Sequence, residues 1–467
     1  MERIGTVSKA NFIIFDFEVY PNDTLFGAIL IANDGLKCFQ TWDRSRIIDF
    51  YRMNAGSFWI GHNNQSYGNI ILQSIVYGEK NTYSLSERII SGADRTKLGI
   101  SLHYIDLMKI YDKDSSYSLE MVKGASGKKI SNGKIINGVG NILSNSEKEY
   151  VESSNLENLN QIYQDFLFLK DKIEIRIDLC KEFGLQISHV MDTESMLGSM
   201  VLGARKVNGI SKMEVKPIWY ENISLENIPI RIFGDDESKS CLSTLKDFYI
   251  SNQFRNNLHF EIDLCGNTII GGSGGLHSAA PRYYCKGALY FDVSGYYNLI
   301  MINLGLLPRS LDELGKKRYI HCYEEQLRLK NVNPKKRAVY KTILLTVFGG
   351  MLNQYTDFYD PWNGNLVMIV GQIYIIDLLQ KLEGKIQLIQ TNTDGIIVKP
   401  LDWNGRDEII SMVEEWEKRT GFVIKKTPIH NIWQRDVNCY SYESDNGDIH
   451  VVGENGIYDS WKNPFDR

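Results

Sequence analysis

Residues 289–300 read LYFDVSGYYNLI and residues 387–400 read QLIQTNTDGIIVKP, and these two stretches decide the fold. In the first, an apolar run of strand character closes at Asp292 and gives way to Ser294-Gly295 and a Tyr pair. An aspartate at a strand end is ordinarily a turn former. In the second, two apolar runs flank Asn392-Thr393-Asp394-Gly395, the pattern of a tight β-hairpin, and Asp394 there needs no role beyond the turn. Together the two change meaning. Two carboxylates on neighbouring strand ends can hold two Mg²⁺ ions roughly 3.5–4 Å apart, the arrangement used for nucleotidyl transfer.

Between them lies Lys316 to Lys341, KKRYIHCYEEQLRLKNVNPKKRAVYK, with nine Lys or Arg against Glu324 and Glu325, a local charge of +7. Pro334 can open a helix there and Gly349-Gly350 can close it. Arg337, Lys341, Leu345 and Phe348 then share one stripe, basic at one end and apolar-aromatic at the other. Such a stripe suits a nucleotide, with cations for phosphates and an aromatic ring for the base. It also suits a solvated basic face over a core stripe.

Near the N-terminus, FDFEVY sets Asp16 and Glu18 two apart, so in a strand both carboxylates face one way while Phe15, Phe17 and Val19 face the other. Two acids on one strand face suit either a divalent metal or a solvated edge. Short apolar runs alternate with turns from residue 11 to about 110, the pattern of an α/β sheet. Residues 123–147 are rich in Gly, Ser, Asn and Lys and read as a surface excursion. Residues 156–185 carry apolar positions at helical spacing and end at Gly184, which predicts a long amphipathic helix.

The 467-residue chain has 43% hydrophobic and 23% charged residues, which excludes a disordered chain, a collagen-like chain and a disulfide scaffold. Its net charge of −5 disfavours nucleic acid as a global rule, a rule that the local +7 contradicts. Seven scattered cysteines without a C-x-x-C pair point away from structural zinc and toward free thiols in a reducing compartment. MERIGTVSKANF has no apolar core of a signal peptide, and no uninterrupted apolar run reaches 18 residues. A cytoplasmic protein with no membrane partner is therefore expected.

In this order the features resemble a family B DNA polymerase of phage type, from about residue 11 to about 442. FDVSGYYNLI resembles that family's D-x-x-S-L-Y-P-S-I segment, which implies Asp292 as a catalytic metal ligand and Tyr297 as the residue that packs on the deoxyribose. Gly295-Tyr296 and Asn298 depart from the pattern. KTILLTVFGG resembles K-x-x-x-N-S-x-Y-G. Lys341 would bind the incoming triphosphate, aided by Arg337 and by Arg328 or Lys330. Phe348 would replace the family Tyr, and Leu345 stands at the Asn. NTDG resembles D-T-D-S, with Asp394 as the second metal-binding Asp and Asn392 in place of the first. RDVNCY resembles a primer-contacting segment in which Tyr440 fits and Asn438 replaces a Lys. GGSGGLH resembles the linker whose backbone touches the template strand, here at Gly274 and Gly275.

The N-terminal zone resembles the family's proofreading 3′–5′ exonuclease. Asp16 and Glu18 match its first motif, and GHNNQSYGNIIL matches its second at Asn63 and Tyr67, with Gly68 in the Asp position. Asp165 is the third-motif candidate and Asp171 the alternative. Loss of one shared metal ligand implies a retained fold with impaired proofreading.

The resemblance implies an α/β and α+β multidomain protein, an RNase H-like exonuclease domain followed by a palm/fingers right-hand polymerase module. Its parts would be an exonuclease-like domain over 1–200, a linker and the start of the palm over 201–286, first-metal palm over 287–310, fingers over 311–350, and second-metal palm over 351–467. Two Mg²⁺ ions, dNTPs and primer–template DNA are the implied cofactors and partners. The gaps of 49 residues from Asp292 to Lys341 and 53 from Lys341 to Asp394 leave no room for a terminal-protein docking module. Only 27 residues follow Tyr440, so the family's thumb is expected to be missing or vestigial. Either the chain is a fragment, or a second polypeptide supplies the thumb or processivity. The competing expectation is a catalytically inactive, polymerase-like DNA-binding subunit.

Overall fold

The computed structural model describes residues 2–3, 11–32, 35–93, 97–110, 142–207, 229–232, 239–240, 259–272, 274–280 and 282–453. The chain is a mixed α/β multidomain protein that divides into two compact units: 1–197 with 326–340, and 198–325 with 341–467. The expected 311–350 fingers segment is thus divided between them.

In the first unit, strands β1 (Glu2–Arg3), β2 (Phe12–Val19), β3 (Thr24–Ala32), β4 (Gly35–Thr41), β5 (Phe58–Gly61) and β6 (His103–Asp106) form one mixed sheet in the order β1-β4-β3-β2-β5-β6. Strands β2, β3 and β4 are antiparallel, whereas β5 and β6 continue parallel to β2. Alternation along β2 turns Phe15 and Phe17 into an aromatic core with Phe26, Phe39, Phe50 and Trp59. Phe15 and Trp59 meet edge to face at 5.3 Å, and Phe39 stacks on Phe50 at 4.9 Å. Helices α1 (Arg44–Asn54), α2 (Gly68–Val76), α3 (Thr82–Ile90) and the single turn α4 (Leu107–Ile110) complete this part of the unit.

The opposite face of β2 receives α5 (Asn145–Glu182), a 38-residue helix about 57 Å long. It is longer than the 156–185 pattern suggests. Ser144 and Glu147 form a reciprocal capping box, so the last residues of the polar stretch assigned to a surface excursion instead start the helix. Residues 123–141 of that stretch lie outside the described residues. Gly184, at φ +66, ends the helix as predicted.

The basic segment is not a free cationic face. Lys335 reaches Glu174 at 3.5 Å and Lys336 reaches Glu182 at 3.0 Å, while the Tyr340 hydroxyl donates to the same Glu182 at 2.7 Å. Part of the local +7 is therefore neutralised by the acids at the end of α5.

The second unit holds a short sheet, β7 (Pro229–Ile232), β8 (Lys239–Ser240), β9 (His259–Leu264) and β10 (Asn267–Gly272), in the order β10-β9-β7-β8. Its main sheet has seven antiparallel strands: β11 (Ser278–Ala279), β12 (Tyr283–Val293), β13 (Ile386–Asn392), β14 (Gly395–Pro400), β15 (Ile424–Asp436), β16 (Cys439–Ser444) and β17 (Ile449–Val452). The order is β11-β13-β14-β12-β15-β16-β17, which sets β12 at the centre.

The later helices are α6 (Glu194–Leu202), α7 (Tyr296–Asn303), α8 (Glu313–Arg328), α9 (Pro334–Met351), α10 (Pro361–Leu382) and α11 (Arg406–Thr420). Pro334 opens α9 as expected, but Gly349-Gly350 lie inside its last turn and do not cap it. Gly350 is needed for close packing, since a Cβ there would stand 2.9 Å from the Phe358 ring.

Helix α10 is long and apolar enough to cross a membrane by length and composition, with mean hydropathy 1.3, yet 83% of that window is buried within the fold. Counting uninterrupted apolar residues overlooks it, because Gln372 and Asp377 break the run. Asp377 accepts from Trp416 Nε1 at 2.8 Å and pairs with Arg419, fastening α11 to α10. Cys38, Cys180, Cys265, Cys285, Cys322 and Cys439 are free and buried.

Candidate active site

The hairpin expected at NTDG forms between β13 and β14, with Asn392 paired to Gly395 and Thr393-Asp394 as the turn. Strand β12 pairs with β14 so that Asp292 stands opposite Gly395, and the Val293 N–H donates to the Asp394 carbonyl at 2.8 Å. Two sequence segments about a hundred residues apart are thereby joined at their acidic ends. Burial, and after it the charge of Asp292, push the Asp394 carboxyl above its ordinary value of 3.8. Asp292 is partly buried and Asp394 opens to solvent at the turn, and such a like-charge pair of hard oxygen donors fits a divalent cation such as Mg²⁺. Among the described residues no third His, Cys, Asp or Glu joins the pair to make a metal-binding group.

A raised carboxyl makes a thermodynamic prediction. Folded Asp394 holds its proton more tightly than the unfolded chain does, so ionising it at neutral pH costs stability, and the cost vanishes as pH falls to the ordinary value. In metal-free buffer Asp394→Asn should melt above the wild type at pH ~7, with the gap closing toward pH ~4. Thermal midpoints across that range test this, and a wild type that melts higher at neutral pH would refute the like-charge pair.

Three tyrosines surround the pair. The Tyr290 hydroxyl donates to Asp292 Oδ1 at 3.4 Å. The Tyr440 hydroxyl is hydrogen-bonded by the Asn392 side chain, and burial, reinforced by Asp292 and Asp394, raises its pKa. Burial, and after it the charge of Asp394, raise the pKa of Tyr297. Tyr297 stacks on Phe348 of α9 with centroids 4.2 Å apart. Beneath, Gly371 of α10 leaves room for the Tyr pair, because a Cβ there would lie 3.2 Å from both rings. Tyr297 thus lies between Phe348, on which it stacks, and Asp394, whose charge reaches it.

Lys341 is exposed on α9, two turns or about 10 Å before Phe348 along the helix axis. Leu345 is 62% exposed between them. Arg337 lies one turn further, its Nε 3.4 Å from Gln326 Oε1. Arg328 and Lys330 are exposed around the end of α8. Lys341 belongs to the second unit and the other three to the first.

The glycine-rich loop comes to the hairpin. An added Cβ at Gly275 would stand 2.2 Å from Thr393 Oγ1, next to Asp394. Gln372 holds the loop there: its Nε2 donates to the carbonyls of Gly272 (2.8 Å) and Gly274, and its Oε1 accepts from Gly272 N at 3.2 Å. Sequence reading missed Gln372, which looks like one more polar residue in an apolar helix. It also missed Lys425, the β15 register partner of Asp292. Lys425 is exposed and makes no ion pair among the described residues. A Lys-Lys at a strand start carries no local signal of that placement.

In the first unit, Asp16 and Glu18 share the β2 face that meets α5. Asn158 Nδ2 lies 3.3 Å from Glu18 Oε1, and both acids act on Tyr67, whose hydroxyl shares a hydrogen bond with Ser86 at 2.8 Å. Asp165 is buried on α5 and accepts from Gln161 Nε2 at 2.9 Å. It does not join Asp16 and Glu18 in a three-acid group among the described residues. Gly68 opens α2 with the Phe15 ring 3.2 Å from where its Cβ would be, so a side chain there would press on the core. The nearby buried acid is Asp106, absent from the sequence reading. It accepts from the N–H groups of Asn63 (2.8 Å), Gln65 (3.0 Å) and Met108 (3.1 Å) and so ties the loop after β5 to the end of β6.

No protein-family model matches the chain. No curated protein matches it. Among solved structures it is similar to the family B DNA polymerase from the hyperthermophilic archaeon Pyrobaculum calidifontis, with a TM-score of 0.47 and 14% identity. The match covers 95% of this chain and 60% of that polymerase, so the chain spans about three fifths of its length.

Proposed function

We propose that this protein is a DNA-directed DNA polymerase that adds dNTPs to a primer 3′ end. The observation that carries the reading is the convergence of Asp292, Asp394 and the Tyr297–Phe348 stack at the end of one central strand. Asp292 and Asp394 would hold two Mg²⁺ ions, which when bound stabilise the charge of the transferring phosphoryl group and lower the pKa of the primer hydroxyl. Lys341 would bind the triphosphate. Tyr297 would pack on the deoxyribose and exclude a 2′-hydroxyl, with Phe348 setting its ring. Tyr440 would meet the primer terminus, and the backbone at Gly274 and Gly275 the template.

Primer extension with dNTPs and Mg²⁺ tests the reading. Extension by the wild type is expected, and its absence over a range of metal and DNA concentrations would sink it.

The N-terminal unit we read as an exonuclease-like domain with impaired proofreading. Gly68 in the place of an acid supports this, because it removes a ligand that a two-metal hydrolysis would use. End-labelled single-stranded DNA should survive incubation with Mg²⁺ or Mn²⁺. Robust cleavage that disappears in Asp16→Ala would reverse the conclusion.

A further inference from the structure

A cleft of about 410 Å³ opens on the main sheet of the second unit, away from the carboxylate pair. Lys286 of β12, Lys399 of β14 and His430 of β15 line it, with Trp403 as one wall and Ile429 in the floor. Lys286 lies six residues before Asp292 on the same strand, about 20 Å away. The volume falls in the range of small-ligand sites.

The cleft has the two halves that a nucleotide unit needs. Lys286 and Lys399 form no ion pair among the described residues, and Asp445 is the lone acid in the lining. Trp403, 37% exposed, gives an aromatic wall whose position is fixed from two sides. The Arg406 guanidinium lies 5.3 Å from the ring centroid. On the strand side Gly287 sits at φ +69, and a Cβ there would be 3.2 Å from the indole, so only glycine lets the ring close onto β12. An aromatic wall beside uncompensated cations takes bases and phosphates together.

We propose that this cleft binds a nucleoside phosphate, supplied either as a free nucleotide or as a unit of a nucleic-acid strand. The site stands on the cleft alone and does not depend on the polymerase reading. Two probes separate the sources in metal-free buffer: dAMP by calorimetry, and a labelled oligothymidylate by fluorescence anisotropy.

Lys286→Ala/Lys399→Ala should weaken at least one probe about tenfold, and with the oligonucleotide should lower the salt slope by about 1.4, or ~0.7 per lost phosphate contact. Asp445→Asn should tighten the same probe, a change of opposite sign that no misfolded variant would mimic. Binding of dAMP assigns a free-nucleotide site, and binding of the oligonucleotide alone assigns a strand site. Unchanged affinity for both probes in the double variant, or no binding of either by the wild type, overturns the proposal. Primer extension on the same samples is read separately. Its failure with cleft binding intact counts against the polymerase, and normal extension with no cleft binding counts against the cleft.

Discussion

The Asp394→Ala protein is expected to bind primer–template DNA as the wild type does and to extend it about 10³-fold more slowly. The magnitude follows from what the carboxylate can do. Metal-assisted charge stabilisation is worth several kcal/mol, and each ~1.4 kcal/mol is a decade in rate. Asp394 sits in a two-residue turn whose backbone is tied to β12 through Val293, so removing its side chain leaves the hairpin in place. Affinity for DNA should hold, because phosphate contacts by cations supply most of it. Asp394→Asn separates charge from shape: it keeps the volume and should be nearly as inactive. Gel-resolved single-turnover extension beside anisotropy binding measures both quantities. Wild-type extension by either variant would place the chemistry elsewhere, and a matching loss of binding would mean that the hairpin had collapsed.

The hairpin was legible because its signals are local: two apolar runs, the polar Asn-Thr-Asp-Gly stretch between them and an acid that apolar strands seldom carry. The same holds for the alternation that separates Phe15 and Phe17 from Asp16 and Glu18. What escaped depends on contacts between distant segments. Gln372 clamps a glycine loop 100 residues away, and Asn158 reaches Glu18 across 140 residues. No periodicity encodes such pairs. The glycines at 349 and 350 misled for a related reason: a glycine pair marks either a helix end or a close approach, and only the Phe358 ring decides between them. The basic segment misled because a count of lysines does not show that Glu174 and Glu182 stand opposite two of them.

The largest loss of stability should come from a residue that the sequence left unremarked. Asp360 is fully buried, and Arg309 gives it three hydrogen bonds: N at 3.0 Å, Nε at 2.9 Å and Nη2 at 2.7 Å. It also accepts from Asn363 N at 3.3 Å, which caps α10, while Asn363 Nδ2 donates to the Leu307 carbonyl at 3.0 Å. One carboxylate thus ties the loop after α7 to the start of the helix whose Gly371 and Gln372 support Tyr297 and the glycine loop. Removing one partner of a buried pair leaves an uncompensated charge and costs about 3–5 kcal/mol. For a unit of this size, each ~1 kcal/mol lowers the melting midpoint by roughly 2–4 °C. Asp360→Ala should therefore melt roughly 10 °C lower, and restoring part of the network with Asp360→Asn should recover some of that. Removing both charges, with Arg309→Met beside Asp360→Leu, should be milder than Asp360→Ala alone, because no buried charge then stands unpaired. A double variant as unstable as the sum of its parts would mean that the two side chains act independently, and that the helix start is held by packing instead.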